Sequence, residues 1–193
     1  MVESRIRIGL IFGSIREGRF CDTVANWAAG EIAGHGGFAV DAIDPKALDS
    51  PLWQHGADSA AIVALRRRLD RADAFVVVTP EHNHGYPAAL KFVIDSAHAE
   101  WRAKPVAFVS YGGISGGLRA VEQLRLVFAE LHAVTMRDTV SFSNPWDRFD
   151  ASGKLFEPEQ PRKAMATMLA HLHWWTTVLR DARRATPYAA MAA

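Results

Sequence analysis

Ala74-Phe75-Val76-Val77-Val78-Thr79 is an unbroken apolar run closed by Pro80, with no polar residue alternating along it. A strand of that kind is buried on both sides, as in a parallel sheet with helices over both faces. Ile6 to Phe12 and Pro105 to Ser110 repeat the pattern; Phe38 to Ile43 is shorter, and a weaker segment lies between Ala133 and Phe142. Between these runs the apolar positions change to helical spacing: Val24, Trp27, Ala28, Ile32; then Ile62, Leu65, Leu69, Ala72; then Leu90, Val93, Ile94, Ala97. Val121, Leu124, Val127, Phe128 and Leu131 mark a fourth helix, and Met165, Met168, Leu169, Leu172, Thr176 and Leu179 a long fifth. Regular alternation of strand and helix predicts an α/β three-layer sandwich with a five-stranded parallel sheet, order 2-1-3-4-5. The expected organisation is one domain over residues 1–184, with 185–193 as a flexible tail.

Composition narrows the partners. The chain has 193 residues, 49% of them hydrophobic, enough for a core that needs no metal or disulfide staple. Twenty-two basic and twenty-one acidic residues leave a net charge of +1, no general reason to expect nucleic acid or an anionic membrane. Cys21 is the only cysteine, which excludes an intrachain disulfide and fits a reducing compartment. The N-terminal residues lack the apolar stretch of a signal peptide, and no run reaches the roughly 20 apolar residues of a membrane span. The expectation is a cytoplasmic protein with no membrane insertion. Arg66-Arg67-Arg68 reads as a solvated helix face. Of the adjacent Trp174 and Trp175, one is expected buried and one free to meet a partner.

In an open parallel sheet, ligands bind beyond the carboxyl ends of the strands, where strand order reverses. Three unusual loops open on that edge. Gly13-Ser14-Ile15-Arg16-Glu17-Gly18-Arg19-Phe20-Cys21-Asp22 joins the first strand to the first helix. A helix N-terminus, a serine hydroxyl and two arginines suit a single phosphomonoester, since neither G-x-G-x-x-G nor G-x-x-x-x-G-K-[ST] is present. Thr79-Pro80-Glu81-His82-Asn83-His84-Gly85-Tyr86-Pro87 is rich in donors, acceptors and rings, suited to a flat heteroaromatic ligand. His82 and His84 have no further ligands at metal spacing, so no metal is expected. Ser110-Tyr111-Gly112-Gly113-Ile114-Ser115-Gly116-Gly117 offers close backbone approach and N–H groups for developing negative charge. Gly113 to Gly117 also matches G-x-S-x-G, so an alternative is a serine hydrolase using Ser115 with Asp138 or Asp147 and His171 or His173. Against it, both histidines sit within a helix and the two arginines of the first loop are left without a role.

Together, G-S-I-R-E-G-R-F, T-P-E-H-N-H-G-Y-P-A-A-L-K-F-V-I-D and G-G-I-S-G-G-L-R-A resemble the signature stretches of the NADPH-dependent FMN reductase family, of the flavodoxin-like superfamily. The resemblance runs from about Ile6 to Leu131. It implies FMN as cofactor, NADPH or NADH as co-substrate, a small-molecule electron acceptor such as a quinone, and a homodimer or homotetramer. Carried over by position, it implies that Ser14, Arg16, Arg19 and Phe20 hold the FMN phosphate, with Cys21 and Asp22 adjacent. Pro80, Glu81, His82 and Asn83 would line the ring system, mainly through backbone, and Ser110, Gly112, Gly113 and Ser115 its other edge. The family's P-E-Y-N has tyrosine where this chain has His82. The loop holding Trp53, Gln54 and His55 matches the family least and is a place for acceptor contacts. No side chain need act as a nucleophile, because the flavin carries the chemistry. A non-catalytic flavin electron carrier is a further alternative, disfavoured by the lack of an acidic surface at net charge +1.

Overall fold

In the computed structural model, which describes residues 5–48 and 59–192, the apolar runs are the strands. They are β1 (Ile6–Phe12), β2 (Phe38–Ile43), β3 (Ala74–Pro80), β4 (Pro105–Gly112) and β5 (Val134–Ser143). Among the described residues these form one sheet in the order β2-β1-β3-β4-β5, with every neighbouring pair parallel. The helices are α1 (Cys21–His35), α2 (Ala60–Arg71), α3 (Ala88–Asp95), α4 (Leu118–Glu130) and α5 (Glu159–Ala185). The stretch with Trp53, Gln54 and His55 lies outside the described residues. No described helix is long and apolar enough to cross a membrane.

Side-chain alternation divides the core into two layers. Ile6, Ile8, Leu10 and Phe12 of β1 and Val76 and Val78 of β3 pack with α1 and α5. Ile11, Phe75 and Val77 pack on the other face with α2, α3 and α4. Gly9 makes room on that second face: a Cβ there would lie 2.8 Å from the Phe75 ring. Trp101 is fully buried against Phe75 and Phe128, and its indole N–H donates to the carbonyls of Ile94 (3.0 Å) and Ala97 (3.2 Å). Burial of the ring is thereby achieved without an unpaired donor.

The weak fifth strand has a physical cause. Between the pairs Val106↔Thr135 and Phe108↔Thr139, β5 advances four residues while β4 advances two. Such a bulge frees backbone carbonyls at the sheet edge. Arg125 of α4 takes them, donating from Nη1 to Met136 O (2.5 Å) and from Nη2 to Arg137 O (3.0 Å) and Thr139 Oγ1 (3.1 Å).

Two surface expectations need correction. Of the arginine triplet only Arg67 is simply exposed: Arg66 Nε donates to Ser96 O at 2.5 Å, and Arg68 forks onto Asp41 at 2.5 and 3.2 Å. Trp174 and Trp175 are both exposed, at 58% and 38%, and pack edge to face on each other. The buried stripe of α5 runs through Met165, Met168, Leu169, Leu172 and Thr176, so positions 174 and 175 both fall outside it. After α5 ends at Ala185, a short 3₁₀ turn spans Tyr188–Ala192, and the Tyr188 hydroxyl lies 2.9 Å from His132 Nδ1.

Lys104, just before β4, is buried and donates to Leu69 O (2.9 Å) and Asp70 O (2.8 Å) at the end of α2. Burial lowers its pKa from 10.5 to about 8, with Asp70 opposing and Arg183 assisting. Below about 8 both folded and unfolded chains carry the charge, and folding bears its burial cost; above 10.5 both are neutral and the cost is gone. Replacing Lys104 by Met removes this dependence. In urea unfolding, the stability of wild type relative to Lys104→Met should therefore rise by about 2 kcal/mol between pH 8 and 10.5. A difference that stays flat over that interval would show that the ammonium carries no burial cost.

Candidate functional site

The loop from β1 to α1 leaves the sheet through Gly13, whose N–H donates to Val78 O at 2.7 Å. A Cβ at this position would lie 2.6 Å from that same carbonyl, so only glycine fits. Ser14 is buried, and its Oγ accepts from the Arg16 N–H at 3.4 Å. Gly18 turns the loop at φ +61°. Among the described residues, no backbone carbonyl accepts from the N–H groups of Ser14, Ile15, Glu17, Gly18, Arg19 or Phe20. Phe20 caps α1 without a side-chain bond, leaving the first-turn N–H groups open as well. The result is a backbone cradle at a helix N-terminus, the ordinary site for an oxyanion.

The two arginines of this loop go opposite ways. Arg16 is exposed. Arg19 has 4% of its side chain exposed and bonds Asp44 in a fork (2.8 and 2.5 Å), Asp22 (2.9 Å) and the Ser14 carbonyl. Its guanidinium also lies over the Phe12 ring, 5.4 Å from the centroid. The hydrogen bond to Asp44 is the chief cause that raises the Arg19 pKa beyond its ordinary value. Burial pushes the Asp44 carboxyl upward, but Arg19 outweighs it and the net shift is downward. Cys21 is buried with its Sγ 3.9 Å from Val78 O, and burial raises its pKa, which removes thiolate reactivity. Phe20 packs on Tyr111 and Phe149.

Beyond β3, the Glu81 N–H donates to Tyr111 O at 3.0 Å, continuing the ladder past Pro80. His82 and Gly85 exchange backbone bonds of 2.9 and 3.0 Å around Asn83 and His84, which sit at φ +49° and +69°. That is a two-residue turn with both central residues in the left-handed region, rare outside glycine. Gln123 of α4 steadies it by donating to His84 O at 2.9 Å. His82 is half-buried, and burial, followed by the charge of Arg16, lowers its pKa.

The turn after β4 is shaped by close backbone packing. Gly116 and Gly117 have φ of +60° and +86°, and a Cβ on Gly117 would lie 2.8 Å from both Ser110 Cβ and Tyr111 N. The hydroxyls of Ser110 and Ser141 both donate to Gly116 O at 2.8 Å. Ser115 Oγ donates to Glu81 Oε2 at 2.6 Å, and Arg119 reaches the same carboxylate from its N–H (3.2 Å) and from Nη1 to Oε1 (2.9 Å). Glu81 has 8% of its side chain exposed. Burial pushes its pKa up, but the bonds from Ser115 and Arg119 prevail and hold it below the ordinary value. This carboxylate latches the β3 loop to the β4 turn.

Ser14, Arg16 and His82 meet around one cleft of about 430 Å³, with Ile15, Pro87, Ala88, Ala89 and Phe92 as its apolar wall. Pro80, Asn83, Gly112 and Gly113 contribute backbone along the same sheet edge, and nothing lies within 4 Å of where a Gly113 side chain would begin. Arg19, Asp22, Glu81, Ser110 and Ser115 have their polar side-chain groups engaged within the protein. Asp44 and Arg119 are the partners sequence reasoning did not place in the site. Their signals are weak: an acidic residue ending the second strand, and a basic one directly after the Gly116-Gly117 turn. The cradle of open N–H groups, the exposed Arg16 and the apolar cleft fit a phosphomonoester bearing a flat ring system, as FMN is.

The hydrolase alternative lacks its geometry. Ser115 donates to a glutamate, whereas His171 pairs with Asp138 at 2.6 Å on the β5 edge and His173 packs on Phe38. No three His, Cys, Asp or Glu side chains among the described residues gather as a metal site.

Comparison with known proteins agrees with this geometry. The family model for NADPH-dependent FMN reductase matches residues 6–147. The NAD(P)H-dependent FMN reductase LOT6 of Saccharomyces cerevisiae is 32% identical over 151 residues, covering 68% of this chain and 76% of its own. The NAD(P)H:quinone oxidoreductase of Solanum tuberosum is 30% identical over 177 residues, covering 86% and 90%. The solved flavoenzyme FerB, an NAD(P)H:(acceptor) oxidoreductase from Paracoccus denitrificans, has the same fold, with TM-score 0.71 at 20% identity over 89% of this chain and 98% of its own. With a family match over residues 6–147 and relatives 32% and 30% identical across most of its length, the chain belongs to the NADPH-dependent FMN reductase family.

Proposed function

We propose that the protein is an FMN-dependent oxidoreductase that spends NADPH or NADH on a small acceptor such as a quinone. The observation that carries this reading is the cradle of N–H groups of Ile15 and Glu17 to Phe20, which no backbone carbonyl among the described residues takes up, beside Arg16 at the mouth of the 430 Å³ cleft. Arg16 and those N–H groups would hold the phosphate; Ser14 would add its hydroxyl. Backbone from Pro80 to Asn83 and from Gly112 to Gly113 would flank the ring system. When bound, FMN supplies the redox chemistry, accepting hydride from the nicotinamide and delivering reducing equivalents to the acceptor. Arg19, Cys21 and Asp22 build the loop from beneath, and Glu81, Ser110 and Ser115 fix the two facing loops. N–H groups around Gly113 would stabilise negative charge at the ring edge. The protein is read as a single cytoplasmic domain that assembles as a homodimer or homotetramer, a state consistent with the exposed Trp174 and Trp175.

The direct test is an absorption spectrum after adding FMN and removing the excess. Retained flavin bands, bleached anaerobically by NADPH or NADH, are expected; protein that keeps no flavin and gives no spectral shift on titration would overturn the reading. Arg16→Ala should weaken FMN binding about tenfold through loss of a charge-assisted phosphate contact. Equal affinity in that variant would remove Arg16 from the phosphate site. Ser115→Ala should retain most turnover with bound FMN, whereas loss of about 10³-fold or more would restore a catalytic serine.

A further inference from the structure

A second cleft, of about 570 Å³, runs along the free edge of β5 between α4 and α5. Leu118 and Gln160 line it, and they are the first residue of α4 and the second of α5. Its mouth therefore opens at the same sheet edge as the FMN site, directly after the Gly113–Gly117 turn, flanked by the positive ends of two helix dipoles. Ser143 pairs with Gly112 at that edge, and Thr139, in the cleft wall, lies four residues down β5, about 13 Å by strand rise.

The charges in the cleft do not cancel at its rim. Glu122 is held by Arg125 Nε at 3.1 Å, and Asp138 accepts His171 Nδ1 at 2.6 Å. Arg125 itself is spent on the β5 bulge. Arg137 reaches Asp138 only at 3.6 Å, with 95% of its side chain exposed. Lys163 is exposed and forms no ion pair among the described residues. A guanidinium fork and an ammonium thus both line an open groove, one end of which is Leu118, directly after the Gly113–Gly117 turn.

We propose that this cleft receives the adenosine end of NADPH, and that Arg137 and Lys163 select NADPH over NADH by binding its 2′-phosphate. The proposal rests on the FMN reductase reading, which puts the nicotinamide at the neighbouring site. A phosphate dianion takes both a planar fork and a point charge well. Leu118, 47% exposed, and Ala164 supply apolar surface for the adenosine. NADH has a neutral hydroxyl at the same position and gains nothing from either cation.

The test compares FMN-loaded wild type with Arg137→Glu/Lys163→Glu and with Arg137→Lys/Lys163→Arg. KM is measured for NADPH and for NADH with one quinone acceptor, and the Kd of 2′,5′-ADP and of 5′-AMP by titration calorimetry without turnover. Charge reversal should raise the NADPH KM and the 2′,5′-ADP Kd about tenfold or more, through loss of two charge-assisted contacts. The NADH KM and the 5′-AMP Kd should stay within about twofold, and the charge-conserving pair should stay near wild type. Both side chains project into solvent, so the fold is not at stake. Equal shifts for NADPH and NADH, no shift for either, or wild-type binding of 2′,5′-ADP no tighter than of 5′-AMP would overturn the proposal. Retention of FMN, read from absorbance, separates the two levels: wild type without flavin sinks the reductase reading, while flavin-loaded variants with unchanged NADPH KM sink the assignment of this cleft.

Discussion

The ligand edge depends on the buried guanidinium of Arg19. A charge with 4% of its side chain exposed is tolerable only when fully paired, and its partners come from three separate segments: Asp22 on α1, Asp44 after β2, and the Ser14 carbonyl. Fixing those segments against one another determines the path of the loop between them. Between Ile15 and Phe20 the loop then runs without backbone–backbone bonds among the described residues, and apart from Arg16, whose N–H donates to Ser14 Oγ, its N–H groups have no backbone acceptor. Removing one carboxylate would do more than cost a bond, because it would leave a buried cation partly unpaired. The division of labour between Arg19 beneath the loop and Arg16 outside it shows in the ion pairs: Asp22 and Asp44 both bond Arg19, while Arg16 is exposed.

Elements with a local cause were legible in the chain. β1 and β2 match their apolar runs to the residue, since glycine, proline and polar residues bound them sharply. β3 takes in one residue more than its apolar run, because Pro80 sits at the strand end where a missing N–H costs no ladder bond. The positions of the three loops at the carboxyl ends of β1, β3 and β4 were equally legible, being short stretches of unusual composition between strand and helix. Contacts that join distant segments were not. Arg19 with Asp44 spans 25 residues and Glu81 with Ser115 spans 34, and nothing in the sequence near one partner marks the other. Which way Arg16 and Arg19 turn is decided by those contacts, so two arginines of one loop read alike until the fold is seen.

The tryptophan pair and the arginine triplet illustrate a related limit. Helical periodicity identifies the buried stripe, but it says less about residues off the stripe. Adjacent positions lie about 100° apart on a helix of 3.6 residues per turn, so two neighbours can both miss the core, as Trp174 and Trp175 do. Arg66 and Arg68 also lie off the apolar stripe, yet both find carbonyl or carboxylate partners on neighbouring elements. Exposure by periodicity is a statement about the helix alone. What an edge residue touches depends on which element the fold sets beside it.

His82 stands where the resembled P-E-Y-N pattern has tyrosine, and its surroundings give that difference a consequence. The ring stands at the base of a turn whose two central residues hold left-handed backbone, a cost of order 1–2 kcal/mol each for residues with a Cβ. The paired His82–Gly85 backbone bonds and the Gln123 bond to His84 O offset that cost and fix the turn. Burial and the nearby Arg16 both disfavour the protonated ring, so His82 is held toward its neutral form beside the cleft. Arg16 therefore remains the permanent cation among the described residues lining that cleft, and anion binding there stays tied to it rather than to the protonation of a histidine. A neutral imidazole keeps one donor and one acceptor at the ring edge, where the phenol of tyrosine offers a single hydroxyl further from the backbone. The exchange changes the hydrogen-bonding character of the cleft wall without altering its charge.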